Sequence, residues 1–192
     1  RFIMSVREVK NIFQNSVEGV RPIIVTNVDH IRIFGTTFKR IATPTNGIIG
    51  DAHGACQGIV INGSCKSGKI YNCRFEDINN RSEAGGTLQY ADADAVLCAV
   101  SSQTQNFSVF DCEFENIGKR FFKATGTPKS VYRFSNNNNM SSAYTGTSDT
   151  VGDFGNGMFS VFSCYGGHAI VNDNTFTGGV IVHFFDGEFS NL

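Results

Sequence analysis

Two carboxylates stand two residues apart in Tyr90-Ala91-Asp92-Ala93-Asp94-Ala95. If that run is extended, Asp92 and Asp94 share a face and lie about 6.5 to 7 Å apart. In such a gap one carboxyl can protonate a glycosidic oxygen while the other activates a water from the opposite side. Asp92 and Asp94 are therefore candidate acid and base, with Asp153 in Gly152-Asp153-Phe154-Gly155 as an alternative partner. A blander reading stands beside each: alternating Asp and Ala also makes a solvated strand end, and Asp153 also suits a turn.

Cations and aromatics that could serve a sugar polymer are few. Ile117-Gly118-Lys119-Arg120-Phe121-Phe122-Lys123 is the densest basic cluster. Lys119 and Arg120 suit binding of a carboxylated sugar or, with His53, the base and charge-stabilising roles of a β-elimination. The alternative for the cluster is a charged turn paired to Glu113 or Glu115, and for His53 a surface loop. Tyr90 and Tyr144 are candidates to stack on sugar rings. No CxxC or HxxxH spacing and no short loop dense in carboxylates is present, so neither a metal nor another cofactor is expected.

These residues must be positioned by something, and the chain supplies a repeated block. An apolar pair is followed by a corner and then by a polar triplet closed with Phe: Pro22-Ile23-Ile24 to Phe38, Ile59-Val60-Ile61 to Phe75, Cys98-Ala99-Val100 to Phe114, and Ser160-Val161-Phe162 to Phe176. Five before each Phe stands a β-branched residue (Ile33, Ile70, Val109, Val171), suited to a half-buried strand. Three before it stands Gly35, Asn72, Asp111 or Asp173, which tolerate the left-handed backbone of a sharp corner. The stretch Phe134-Ser135-Asn136-Asn137-Asn138-Asn139 fits one further, degenerate repeat, its Asn run a stacked ladder at a turn. Self-similarity of this kind predicts stacked modules: an all-β, right-handed parallel β-helix of about five to six coils.

Aligning the blocks puts the insertions at one corner, in 39–58, in 76–97 and in a stretch ending at Phe159. Strands stacked about 4.8 Å apart turn insertions at one corner into a wall along one side, the natural place for a site. Counting back from the next strand aligns Asp94 with Ala55 and Asn156, Asp92 with His53 and Phe154, and Asp153 with Ala52 and Ala91.

The composition narrows the partners. The 192-residue chain has a net charge of −1, 18 Phe, 21 Gly, 3 Pro and no Trp, which fits short strands with many turns and offers no long-range attraction to nucleic acid or anionic lipid. No apolar run is long enough for a membrane helix. The six cysteines are read as reduced, with Cys73 and Cys112 in one stacked slot two before the closing Phe. The start at Arg1 and the stop within an apolar repeat mark residues 1–192 as a single β-helix domain cut from a longer chain, with caps expected beyond both ends.

With its Val109-Phe110-Asp111-Cys112-Glu113-Phe114 type of repeat, the chain resembles the pectate-lyase-like superfamily of right-handed parallel β-helices, which holds lyases, hydrolases, epimerases and non-catalytic stalks. Uneven coils, reduced cysteines and missing caps look most like a bacteriophage tailspike depolymerase. That resemblance implies an endo-acting glycosidase on bacterial capsule, O-antigen or exopolysaccharide, a homotrimer, and a place on the virion tail; a secreted or cell-surface bacterial protein is the alternative. Ala91-Asp92-Ala93-Asp94 followed by Asn106-Phe107-Ser108-Val109 is similar to the polygalacturonase stretch in which Asn-Thr-Asp precedes a coil, and Asp94 matches that aspartate. The chain then departs from that pattern: Gly118 is followed by Lys119 and Arg120 rather than two aspartates, and Gly166-Gly167-His168 only echoes the family's Gly-His-Gly. A lyase and a non-catalytic glycan-binding adhesin remain the alternatives.

Overall fold

The computed structural model describes residues 2–5, 8–10, 21–42, 56–79, 83–84, 87–88, 93–99, 106–117, 120–125, 130–138, 160–165, 167–175, 181–185 and 188–189. Strands are numbered in chain order, and no helix occurs among these residues. The first sheet contains β1 (Phe2–Ser5), β4 (His30–Phe34), β7 (Ser67–Tyr71), β12 (Asn106–Phe110), β15 (Val131–Ser135), β17 (His168–Asn172) and β19 (Glu188–Phe189). The second contains β2 (Glu8–Lys10), β5 (Thr37–Ala42), β8 (Arg74–Asn79) and β13 (Glu113–Glu115). The third contains β3 (Ile23–Thr26), β6 (Cys56–Asn62), β11 (Ala93–Ala99), β14 (Arg120–Thr125), β16 (Ser160–Tyr165) and β18 (Ile181–Phe185). All three are parallel, and from β4 to β15 the chain visits first, second and third sheet in one cyclic order. Among the described residues, only the short β9 (Glu83–Ala84) and β10 (Thr87–Leu88) pair antiparallel.

Alternation explains the first sheet. In β4, Ile31 and Ile33 are buried while His30 and Arg32 are exposed, and β7, β12 and β15 repeat that order. Strictly alternating β-branched and polar residues suit a strand with one wet face. Ile33, Ile70, Val109 and Phe134 form one inward column by register. The stretch expected to be degenerate is thus regular here, with β15 paired to both β12 and β17.

Among the described residues, each link leaving the first sheet from β4 onward begins with two residues, one in the left-handed region followed by an inward one. Gly35, Asn72, Asp111, Asn136 and Asp173 have φ of 61, 51, 52, 52 and 55°. Every one of these positions is Gly, which has no Cβ, or Asn or Asp, whose short polar side chains tolerate that region. The residue that follows turns inward: Cys73 and Cys112 donate to the carbonyls of Ile33 and Ile70 one pass earlier (3.8 Å each), and Asn137 and Asn174 donate to those of Val109 (3.3 Å) and Phe134 (2.9 Å). Asn137 also accepts from the Cys112 amide (3.0 Å), and Asn174 accepts from the Asn137 side chain (2.9 Å), so the Asn run does form a stacked ladder.

Behind these links lies the core. Phe38, Phe75 and Phe114 stack with ring centroids 4.9 and 5.1 Å apart and planes within 6°. Ile41, Ile78 and Ile117 are buried beside them. Removing each such side chain from water is worth roughly 1.5–3 kcal/mol. Phe176, expected to close the last repeat, lies outside the described residues. Cys65, Cys73, Cys98 and Cys112 are buried and none of them is in a disulfide. Burial pushes the Cys65 thiol up to about 11 and raises that of Cys112 well above its ordinary value, which leaves both unreactive at neutral pH.

One expectation about spacing fails. The register sets Ile23 against Ile59, Ile59 against Val96, Val96 against Phe122 and Phe122 against Phe162. The third block therefore begins at Val96, two residues before Cys98, and the first at Ile23 rather than Pro22. A two-residue slip keeps the same side chains facing inward, so the apolar pattern alone does not detect it. The links from third to first sheet differ in length, and they absorb the slip.

Candidate functional site

The corner expected to carry the site is the one that enters the third sheet. Several links arriving there are long: Lys10 to Ile23, Ala42 to Cys56, Asn79 to Ala93, and Asn138 to Ser160. The one from Glu115 to Arg120 is short. Only part of the Ile117 to Lys123 segment can be a charged corner: from Arg120 onward it is β14, paired on one side with β11 and on the other with β16.

At the second positions of β6 and β11 and the first of β14 and β16 the register lines up Gln57, Asp94, Arg120 and Ser160. Asp94 thus neighbours Gln57 and Arg120, not Ala55 and Asn156 as the slipped alignment has it. One residue further on the backbone turns. A Cβ on Gly58 would lie 2.7 Å from the Ala95 carbonyl oxygen and 3.2 Å from the Phe75 ring, so this position faces the core and has room only for hydrogen. Phe121 faces it too, 5.0 Å from Phe114 between ring centroids. Gly58 and Ile59, Ala95 and Val96, and Phe121 and Phe122 are buried in succession, so strict alternation is interrupted just after Gln57, Asp94 and Arg120.

All three polar residues are shielded from solvent. Asp94 is 0% and Arg120 2% exposed. The Arg120 guanidinium donates from Nε to Asp94 Oδ1 (2.5 Å) and from Nη2 to Oδ2 (3.2 Å), the two-pronged geometry that distinguishes Arg from Lys. Gln57 is also buried, and its Oε1 accepts from Arg21 Nε at 2.6 Å. An acid that reaches no solvent and is held by both oxygens is suited to fixing strands β11 and β14 together. Proton exchange with a substrate needs an accessible oxygen, which this pair does not offer.

Of the sequence candidates, then, the structure brings Asp94 and Arg120 together and sets both inside. Asp92, Asp153, His53, Tyr90, Lys119 and Tyr144 lie outside the described residues. Gln57 and Arg21 carry no motif, and only the register reveals them. Among the described residues no group of three metal-ligating side chains occurs, and no helix is long and apolar enough to cross a membrane. Comparison with protein-family models, curated proteins and solved structures finds no match to this chain.

Proposed function

We propose that the three sheets wrap as a right-handed parallel β-helix of the pectate-lyase-like kind, and that the protein binds and depolymerises a bacterial surface polysaccharide as a tailspike does. In this reading it is an endo-acting glycoside hydrolase, trimeric in its full-length form. The observation that carries the proposal is the gathering of long links at one edge of the third sheet, beside the buried Gln57, Asp94 and Arg120 column. A rigid parallel scaffold with loops collected along one edge presents an elongated surface, the shape that an extended polymer needs.

Within that proposal the roles shift. Asp94 becomes a positioning residue, held by Arg120, at the end of the link that contains Asp92. Asp92 and Asp153 take the acid and base roles, with Tyr90 and Tyr144 against the sugar. Arg120 is engaged with Asp94, so a lyase would need Lys119 or His53 as its base. Capture of the two-pronged pair inside the protein also favours a second reading, a glycan-binding adhesin without cleavage.

Polymer length measured after incubating capsule and O-antigen polysaccharides with the full-length protein tests this. The proposal expects shortening by the wild type and at least a hundredfold slower shortening by Asp92→Asn or Asp153→Asn, in line with general acid–base contributions of about 10²–10⁴. New near-ultraviolet absorbance in the products would assign a lyase instead. Bound but uncut polymer would leave the adhesin.

A further inference from the structure

Among the described residues, the outer face of the first sheet from β4 to β17 stands apart in its charge, and an acid enters the sheet only beyond it, where Glu188 of β19 pairs with His168. Its outward positions on β4, β7, β12, β15 and β17 include no Asp and no Glu. Arg32, Lys69 and Arg133 lie in one register column there, interrupted by Ser108, and all three cations are exposed. Two residues along each strand, Phe34, Tyr71 and Phe110 form a half-exposed outward column, with successive ring centroids 5.2 Å apart and planes within 14°. A chain with 16 basic and 17 acidic residues has thus set an acid-free cationic strip beside an aromatic one.

The second sheet shows what ordinary surface charge looks like here. Lys39 pairs with Glu76 at 2.5 Å, and Arg74 contacts Glu76, Glu113 and Glu115 at 3.3, 3.7 and 2.7 Å. By contrast, Arg32, Lys69 and Arg133 have no ion-pair partner among the described residues. Cations left unneutralised along a strip favour an anionic partner that runs the same way.

We propose that this face is a second binding surface, separate from the corner site, for an acidic polysaccharide. Its carboxylate or sulfate groups meet Arg32, Lys69 and Arg133, and its sugars lie against the outer edges of Phe34, Tyr71 and Phe110, whose faces are turned to one another. Strand spacing sets Arg32 and Arg133 about 14 Å apart, a distance a few extended sugar residues span. Single-stranded nucleic acid fits less well, because it needs open ring faces for its bases, whereas these rings stack on one another. A second copy of the chain meeting this face with its own would set like charges together. The surface binds whether or not the corner site cuts, so its test is separable from the test of depolymerisation.

Binding of the full-length protein to fluorescent polygalacturonate, to neutral dextran and to oligothymidylate decides the matter. Expected are salt-sensitive binding of polygalacturonate, no comparable binding of dextran, and at least a tenfold loss in the triple variant Arg32→Gln, Lys69→Gln, Arg133→Gln. Tyr71→Ala should weaken binding several-fold, and Lys39→Gln on the second sheet should leave it unchanged. The single variant Lys69→Gln, expected to lose at least twofold, repeats the test with minimal change to the fold. Unchanged binding in the triple and single variants, equal binding of dextran, or tighter binding of oligothymidylate would overturn the proposal.

Discussion

Two columns of buried polar side chains run across this molecule, and they are built on opposite plans. At the link between first and second sheets, Cys73, Cys112, Asn137 and Asn174 repeat one task, each donating to the backbone carbonyl of the pass before. At the entry to the third sheet, Gln57, Asp94 and Arg120 do not repeat: the column includes a carboxylate and a guanidinium that satisfy each other. The first column can be extended by one more copy of the same residue. The second works only as a complementary set, so a change at one member strands its neighbour.

The largest effect should therefore come from the second column. Asp94→Asn removes the carboxylate that the buried Arg120 guanidinium grips with two hydrogen bonds, and removing one partner of a buried ion pair costs about 3–5 kcal/mol. Urea unfolding is expected to show that loss, and an Asp94→Leu, Arg120→Met double variant should recover most of it. A double variant as unstable as the single one would mean that the pair is not acting as a complementary unit.

A middle-sized effect belongs to the first column. Asn137→Ala deprives the buried Cys112 amide of its acceptor and the Val109 carbonyl of a donor, with a loss of about 1–3 kcal/mol expected in the same measurement. If Asn137→Ala cost as much as Asp94→Asn, the distinction between repeated and complementary columns would collapse.

The smallest concerns backbone conformation alone. Asn72 sits at φ 51° and is exposed, so Asn72→Gly should change stability by less than about 1 kcal/mol, whereas Asn72→Val should cost about 1–2 kcal/mol. Equal thermal melting of the two variants would show that the left-handed corner places no demand on its residue.

The legibility of the chain follows the same division. Gly35, Asn72, Asp111 and Asp173 were readable as left-handed corners because one local requirement recurs with one chemical answer. The stacking of Phe38, Phe75 and Phe114, and of Cys73 on Cys112, followed from equal spacing to those corners. A matching left-handed column at Arg40, Asp77 and Asn116 was not readable, since an Arg carries no turn signal. The site was harder still. In sequence Asp94 reads as half of an exposed acidic pair and Arg120 as part of a charged turn, because the partner each meets lies 26 residues away rather than beside it.

By itself the sequence determined the alternation of the strands, the two-residue link with its left-handed backbone, the inward Phe column and the corner at which long links collect. These depend on steric and solvation preferences that act within a few residues and are repeated. Only the tertiary structure decided the register between passes, and with it the pairing of Asp94 with Arg120, the contact of Arg21 with Gln57 and the acid-free face shared by Arg32, Lys69 and Arg133. Such neighbours come from strands joined by links of unequal length. A two-residue change in a link preserves the inward–outward pattern while exchanging every partner across the sheet.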